Sequence, residues 1–303
     1  MNSQTKVAAG KNAARTSGHG RNSKLRYLLH AFLILLSLTW LFPLVWAVYN
    51  SFRDYGYTVE HGYVSVGGYT FDNYINAWRQ GGFGQSFLNS AIITISAVLL
   101  TLILSAAMAF VLARFSFKLN LTLLAVFLAA NLLPPQSLLV PIYRMFRNTP
   151  VPLWISDSGT LLNSYLAVIL INVAFQTGFC TFVLSNYMKA LPFEIYESAQ
   201  MDGASVARQF FQITLPLCRP PLAALATLQV AWIYNEFFWA TVLLQSGDKF
   251  PITSSLNNLK GMFFTDYNLL SAGSVIIALP VLIIFFVLQK QFVSGLTLGS
   301  TKG

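Results

Sequence analysis

Residues 87–113 read FLNSAIITISAVLLTLILSAAMAFVLA, without a charged side chain. A helix rises about 1.5 Å per residue, so about 20 apolar residues cross the hydrocarbon core of a bilayer. This run is long enough to do so alone. A transmembrane barrel strand is about ten residues long and alternates apolar with polar positions; this run is longer and apolar all round. Five further runs share its character, at 27–49, 119–143, 161–187, 222–244 and 272–292. The expected fold is all-α, a polytopic membrane protein with six transmembrane helices. Composition agrees. Of 303 residues, 55% are hydrophobic and only 10% charged, and the mean hydropathy is +0.59. Soluble domains carry about 25% charged residues.

Pro134, Pro135 and Pro141 interrupt the third run. Lost backbone donors and ring clashes predict a kink or break there. At membrane depth such a break is tolerated only against protein or a water-lined cavity. Gly178 in the fourth run permits a bend or a close helix contact.

The net charge of +9 reports topology and not nucleic acid. Lys6, Lys11, Arg15, Arg21, Lys24 and Arg26 precede the first span. Arg114 and Lys118 follow the second, Lys189, Arg208 and Arg219 the fourth, and Lys290 and Lys302 the sixth. These 13 of the 19 basic residues fall on one side of an alternating path. Arg53, Arg79, Arg144, Arg147, Lys249 and Lys260 fall on the other. The positive-inside rule places the richer side, with both termini, in the cytoplasm, with a weak attraction to anionic lipid. Residues 1–24 are expected to be a disordered basic cytoplasmic tail, and 25–303 the membrane domain. The first apolar run exceeds the roughly 7–15 residues of a signal-peptide core, and no A-x-A site follows it. Tyr69, Tyr74 and Trp78 in the first outer loop are expected at the membrane interface. Cys180 and Cys218 sit where a disulfide is not favoured and read as packing residues.

Between the fourth and fifth runs lies a polar island, residues 192–221, PFEIYESAQMDGASVARQFFQITLPLCRPP. In so apolar a chain it must sit in water. Pro192 suits a first helical turn, and Glu194 and Glu197 favour the N-terminal end of the helix dipole. Ile195, Ala199 and Met201 offer an apolar side for packing. Asp202-Gly203 is a turn signal, with glycine free to take positive φ. A second helix is expected from 204 to 211, ended by Leu215-Pro216 and Pro220-Pro221. Taken alone, these features also fit an amphipathic helix pair lying on the bilayer.

Glu197, Ala199 and Gly203, then Ile213, Leu215 and Pro216, form the pattern E-x-A-x-x-x-G, nine residues, I-x-L-P. This pattern resembles the EAA loop of ABC importer permeases. Residues 25–303 are also similar to the second permease subunit of maltose-type carbohydrate importers. The supporting stretches are FLNS at 87–90, AAMAFVLARF at 106–115, LPPQ at 133–136, YNEF at 234–237 and GLTLGSTKG at 295–303. Two departures are Ser198, where the name-giving pattern has a second alanine, and Gln176-Thr-Gly-Phe, where relatives often carry a proline. The resemblance implies a type I ABC importer permease fold in a bacterial or archaeal cytoplasmic membrane. It implies a heterodimer with a second permease, two ABC ATPase subunits and an extracytoplasmic sugar-binding protein. The loop at about 189–221 would dock into an ATPase subunit, with Glu197, Ala199, Asp202, Gly203, Ile213, Leu215 and Pro216 as coupling residues. ATP and Mg would be bound by those partners, with no cofactor in this chain.

Glu236 is the only carboxylate inside an expected span, and such groups face a cavity or pair internally. Asn235, Trp232 and Trp239 lie near it, and Asn163, Asn172 and Gln176 give the fourth span polar groups. Amides with aromatics suit sugar hydroxyls and ring faces. Asn172, Gln176, Trp232, Asn235, Glu236 and Trp239 therefore either line a translocation path or form an interhelical hydrogen-bond cluster. No H-E-x-x-H, G-x-S-x-G or G-x-x-x-x-G-K-[ST] occurs, and His19, His30 and His61 are scattered. The chain is expected to have no catalytic or metal-binding residue of its own. A secondary transporter or channel would leave the island without a purpose.

Overall fold

The apolar runs become long helices because few residues in them interrupt the backbone ladder. The computed structural model describes residues 21–261 and 263–297. In chain order the helices are α1 (Arg21–Ser51), α2 (Tyr55–His61), α3 (Asp72–Gln80), α4 (Phe83–Arg114), α5 (Asn120–Ala130), α6 (Leu139–Arg147) and α7 (Tyr165–Lys189). They continue with α8 (Glu194–Met201), α9 (Val206–Arg208), α10 (Leu215–Leu217), α11 (Arg219–Tyr234), α12 (Phe238–Leu243), α13 (Ile252–Ser255) and α14 (Tyr267–Thr297). Among the described residues the only strand-like pairings are two isolated bridges.

Among the described residues, four segments are long and apolar enough to cross a membrane as single rods: Leu25–Ser51, Phe83–Arg114, Tyr165–Lys189 and Tyr267–Val287. The first helix begins at Arg21, inside the stretch expected to be a tail, because no proline or glycine stops it between Arg21 and Pro43. The rest of that expected tail, 1–20, lies outside the described residues. The other two expected spans are interrupted. Asn120–Ala130 and Pro135–Arg147 meet at 94°, because Pro134 and Pro135 stop the helix between them. Pro141 does not break α6, since it stands in its first turn, where amides have no intrahelical partner. The fifth span is also not one helix. α11 has 16 residues, too few to cross alone, and a non-helical step at 235–237 separates it from α12.

α4 packs along α7, and α11 against both α4 and α14. α1 lies chiefly against α14 and stays exposed along its apolar length. Gly178 serves close contact: α7 runs through it unbroken, and a Cβ there would stand 2.7 Å from the Phe127 carbonyl oxygen of α5. One apolar cluster joins Ile93, Val168, Ile171, Ile233, Trp239 and Leu243. A second joins Phe110, Leu184, Met188, Tyr196 and Cys218 at the island end. Cys180 and Cys218 are both buried and free.

The first inter-span loop is built around Arg53, which is fully buried. Its guanidinium donates to the carbonyls of Gly62, Tyr63 and Gly67 and to Ser65 Oγ. Tyr74 is tied by its hydroxyl to Ser51 Oγ at 2.6 Å, Tyr69 packs edge-on to Tyr49, and Trp78 stacks on Phe87.

Candidate coupling loop and polar cavity

The island turns on Gly203. Asp202 caps α8, and Gly203 takes φ +75°. Its amide donates to the Gln200 carbonyl at 3.0 Å, and the Ala204 amide to the Ala199 carbonyl at 2.9 Å. These are the paired bonds of a Schellman motif, and they give Ala199 and Gly203 their places in the pattern. A Cβ on Gly203 would meet nothing within 4 Å, so the requirement is conformational and not steric. Ser205 then caps the next helical stretch, its side chain accepting from the Arg208 amide at 3.3 Å. α9, a π turn over Gln209–Thr214 and α10 run on to Leu217. The second helix thus outlasts its expected end at 211, because Pro216 falls in the first turn of α10, where its missing amide is harmless.

Glu197, Asp202, Gly203 and Pro216 are exposed, while Ala199, Ile213 and Leu215 are half-buried. Met201, on the side expected to offer apolar surface for packing, is 88% exposed, and Phe211 is 64% exposed. Tyr196 takes the inward place instead. Its hydroxyl meets Thr214 Oγ1 at 3.1 Å, and its ring and that of Phe210 pack on Phe110 of α4. Gln209, also buried, donates to the Ala204 carbonyl at 3.1 Å. Of these braces the sequence drew notice only to Phe210, beside Phe211 on the second island helix; Tyr196, Gln209 and Thr214 passed without mark. The available signal was Phe110 and Arg114, four apart at the end of α4 and so on one helix face.

A cavity of about 270 Å³ opens at the bend between α5 and α6. Asn131 and Gln136 line it from the bend, Asn172, Phe175 and Gln176 from α7, and Glu236 and Trp239 from the broken fifth span. The Phe175 and Trp239 rings stack with centroids 5.9 Å apart. Asn172 Nδ2 donates to the Val168 carbonyl at 2.8 Å, and Gln176 Oε1 accepts from Gln229 Nε2 at 3.4 Å. Glu236 accepts the amides of Trp239 and Ala240 at 2.6 and 3.1 Å, which are orphan donors of the first turn of α12. It therefore starts the helix that carries Trp239. Four of the six expected path residues thus share one wall. Trp232 and Asn235 are not among the cavity's lining residues. Trp232 packs on Phe179, and Asn235 Nδ2 donates back to the Ala231 carbonyl at 2.8 Å.

Asn163 holds the other end of α12. It has φ +54°, the one positive value at a non-glycine among the described residues. Its amide donates to the Leu243 carbonyl at 2.8 Å. Its Oδ1 accepts from the amides of Gln245 and Ser246, each at 3.0 Å, and its Nδ2 donates to Ser246 Oγ at 2.6 Å. Sequence reasoning placed Asn163 only among the polar groups of the fourth span; its spacing gave no sign of a partner some 80 residues on.

Residues 101–297 match the family described as binding-protein-dependent transport system inner membrane component. The chain belongs to this family. It is a multi-pass permease subunit of an ABC importer and not an ATPase. The matched region begins within α4 and takes in both the cavity and the island. The diacetylchitobiose uptake system permease protein NgcG of Streptomyces coelicolor is 32% identical over 275 residues, covering 90% of this permease and 88% of that one. The arabinooligosaccharides transport system permease protein AraQ of Bacillus subtilis is 30% identical over 285 residues, covering 93% and 97%. In fold, this permease is similar to a chain in the crystal structure of a bacterial ABC transporter involved in import of the acidic polysaccharide alginate. The TM-score is 0.74 at 22% identity, over 90% of this permease and 99% of that chain.

Proposed function

We propose that this permease moves a carbohydrate across the cytoplasmic membrane and is driven by an ATPase subunit that grips residues 192–217. The supporting observation is the island itself. The island presents exposed Glu197, Met201 and Phe211, while Tyr196 and Phe210 pack on Phe110 of α4 and the Tyr196–Thr214 and Gln209–Ala204 bonds brace it from within. An exposed apolar face on a braced support is suited to a protein partner. The full assembly in this reading has a second permease, two ATPases holding ATP and Mg, and an extracytoplasmic sugar-binding protein. The charge asymmetry supports both termini and the island being cytoplasmic.

The cargo reading rests on the cavity, where amides, a carboxylate and two stacked rings face one volume. Such a wall matches hydroxyls and the apolar faces of sugar rings, and the names of several relatives specify oligosaccharides.

Mild-detergent purification of the tagged chain tests the docking. An ATPase and a second permease should co-purify with the wild type, and the ATPase should be lost from Glu197→Ala/Gly203→Val. A wild type that emerges alone overturns the reading. Uptake assays on the co-purified assembly test the cavity. Gln176→Ala should raise the half-saturating sugar concentration, and Asn235→Ala, outside the cavity, should not. Equal behaviour of the two removes the cavity from the path.

A further inference from the structure

We infer that Arg114 is the positioning residue that couples the island to α4. Its guanidinium lies over the Phe193 ring at 4.3 Å and the Tyr196 ring at 5.0 Å, at the first turns of α8. Among the described residues its side chain forms no ion pair. Phe110, one turn earlier on α4, presses on Tyr196 with centroids 6.4 Å apart and on Phe210 at 5.3 Å. α4 thus holds α8 through a cation over two rings and the following helix through a third ring. Arg114 also stands in the last turn of α4, where positive charge is favoured by the helix dipole.

The chemistry of this clamp suits a moving joint. A cation over an aromatic face is attracted by the ring quadrupole over a range of positions, so α8 can tilt without losing the contact. A hydrogen bond would break on the same excursion. A pull on α8 then reaches α4, which lies along α7, the helix that carries Asn172 and Gln176 of the cavity wall. The clamp rests on the docking reading for its driving force, but its geometry is testable without it.

Nitroxide labels at Ser198→Cys on α8 and Val111→Cys on α4 report the joint by pulsed dipolar spectroscopy. Both positions are exposed, and the native cysteines are buried. The wild type should give a narrow distance distribution. Arg114→Ala should broaden it about twofold, and Arg114→Lys, which keeps the cation, should restore most of the narrowing. In the reconstituted assembly Arg114→Ala should leave the ATPase bound and hydrolysing, while sugar moved per ATP falls roughly fivefold. An unchanged distribution together with an unchanged transport-to-hydrolysis ratio overturns the clamp. Equal loss in Arg114→Lys and Arg114→Ala also overturns it, because a cation would then not be what matters. Failure of the docking reading has a different signature: wild type itself carries no ATPase, and the label distances still decide whether Arg114 holds α8.

Discussion

The loops away from the island and the contact of α8 with α4 are fastened by different chemistry. At the end away from the island, loops are fixed by hydrogen bonds that converge on single buried polar residues. Arg53 gathers three carbonyls and a hydroxyl, Asn163 holds 243–246, and Asn89 Nδ2 donates to the carbonyls of Asp248 and Phe250 at 2.7 and 3.0 Å. At the island end the joint between α8 and α4 consists of ring faces and a cation. Hydrogen bonds fix direction and register, whereas apolar and ring contacts permit rolling. The far loops are therefore held as a frame, and the α8–α4 contact is free to roll.

The sharpest way to break this comparison is Arg53→Met. It strips buried carbonyls of their donor and should cost about 3 kcal/mol, read as a lower unfolding temperature in mild detergent. A neutral result would remove the frame from that end. Asn163→Ala should follow at about 2 kcal/mol, since the Gln245 and Ser246 amides lose their acceptor. The same variant should loosen α12 and thereby weaken sugar affinity, which uptake kinetics would register. Tyr196→Phe at the island keeps the ring and removes only the bond to Thr214. It should cost about 1 kcal/mol and leave transport per ATP unchanged; a collapse of coupling would mean that the joint is directional after all.

The smallest effect is expected at the Lys249–Asp157 pair, 2.9 Å apart, in which Asp157 is 82% exposed. The hydrogen bond and charge of Lys249 hold the Asp157 carboxyl below its ordinary value. A lowered folded-state value means the pair's contribution is present above the ordinary carboxylate range and disappears as pH falls through the lowered value. Asp157→Asn should flatten that acid dependence and leave unfolding at neutral pH almost unmoved, since exposed pairs contribute little. A large shift at neutral pH would make this pair part of the frame.

The legible parts of the molecule were those written in local spacing. Apolar run length gave the membrane rods, Pro134-Pro135 the bend, and Asp202-Gly203 the turn of the island. The break at 235–237 was harder, because apolar residues continue on both sides of it. Its mark was Glu236, noticed as a charge at depth but not as the cap of a new helix. Arg53, Asn163 and Tyr196 act on partners brought near only by folding. No periodicity carries that information, and a buried arginine satisfied wholly by neutral acceptors looks in sequence like any loop cation.

The contact between α1 and α14 has a consequence for how the chain is made. Of the described helices, the earliest made finds its main neighbour in the latest. At about 5–20 residues per second, α1 waits roughly ten to forty seconds in the bilayer before α14 arrives. During that interval it must persist as a solitary rod, held by lipid and its own backbone ladder. That contact thus forms only once α14 has been made, and a chain truncated before α14 leaves α1 without its main neighbour.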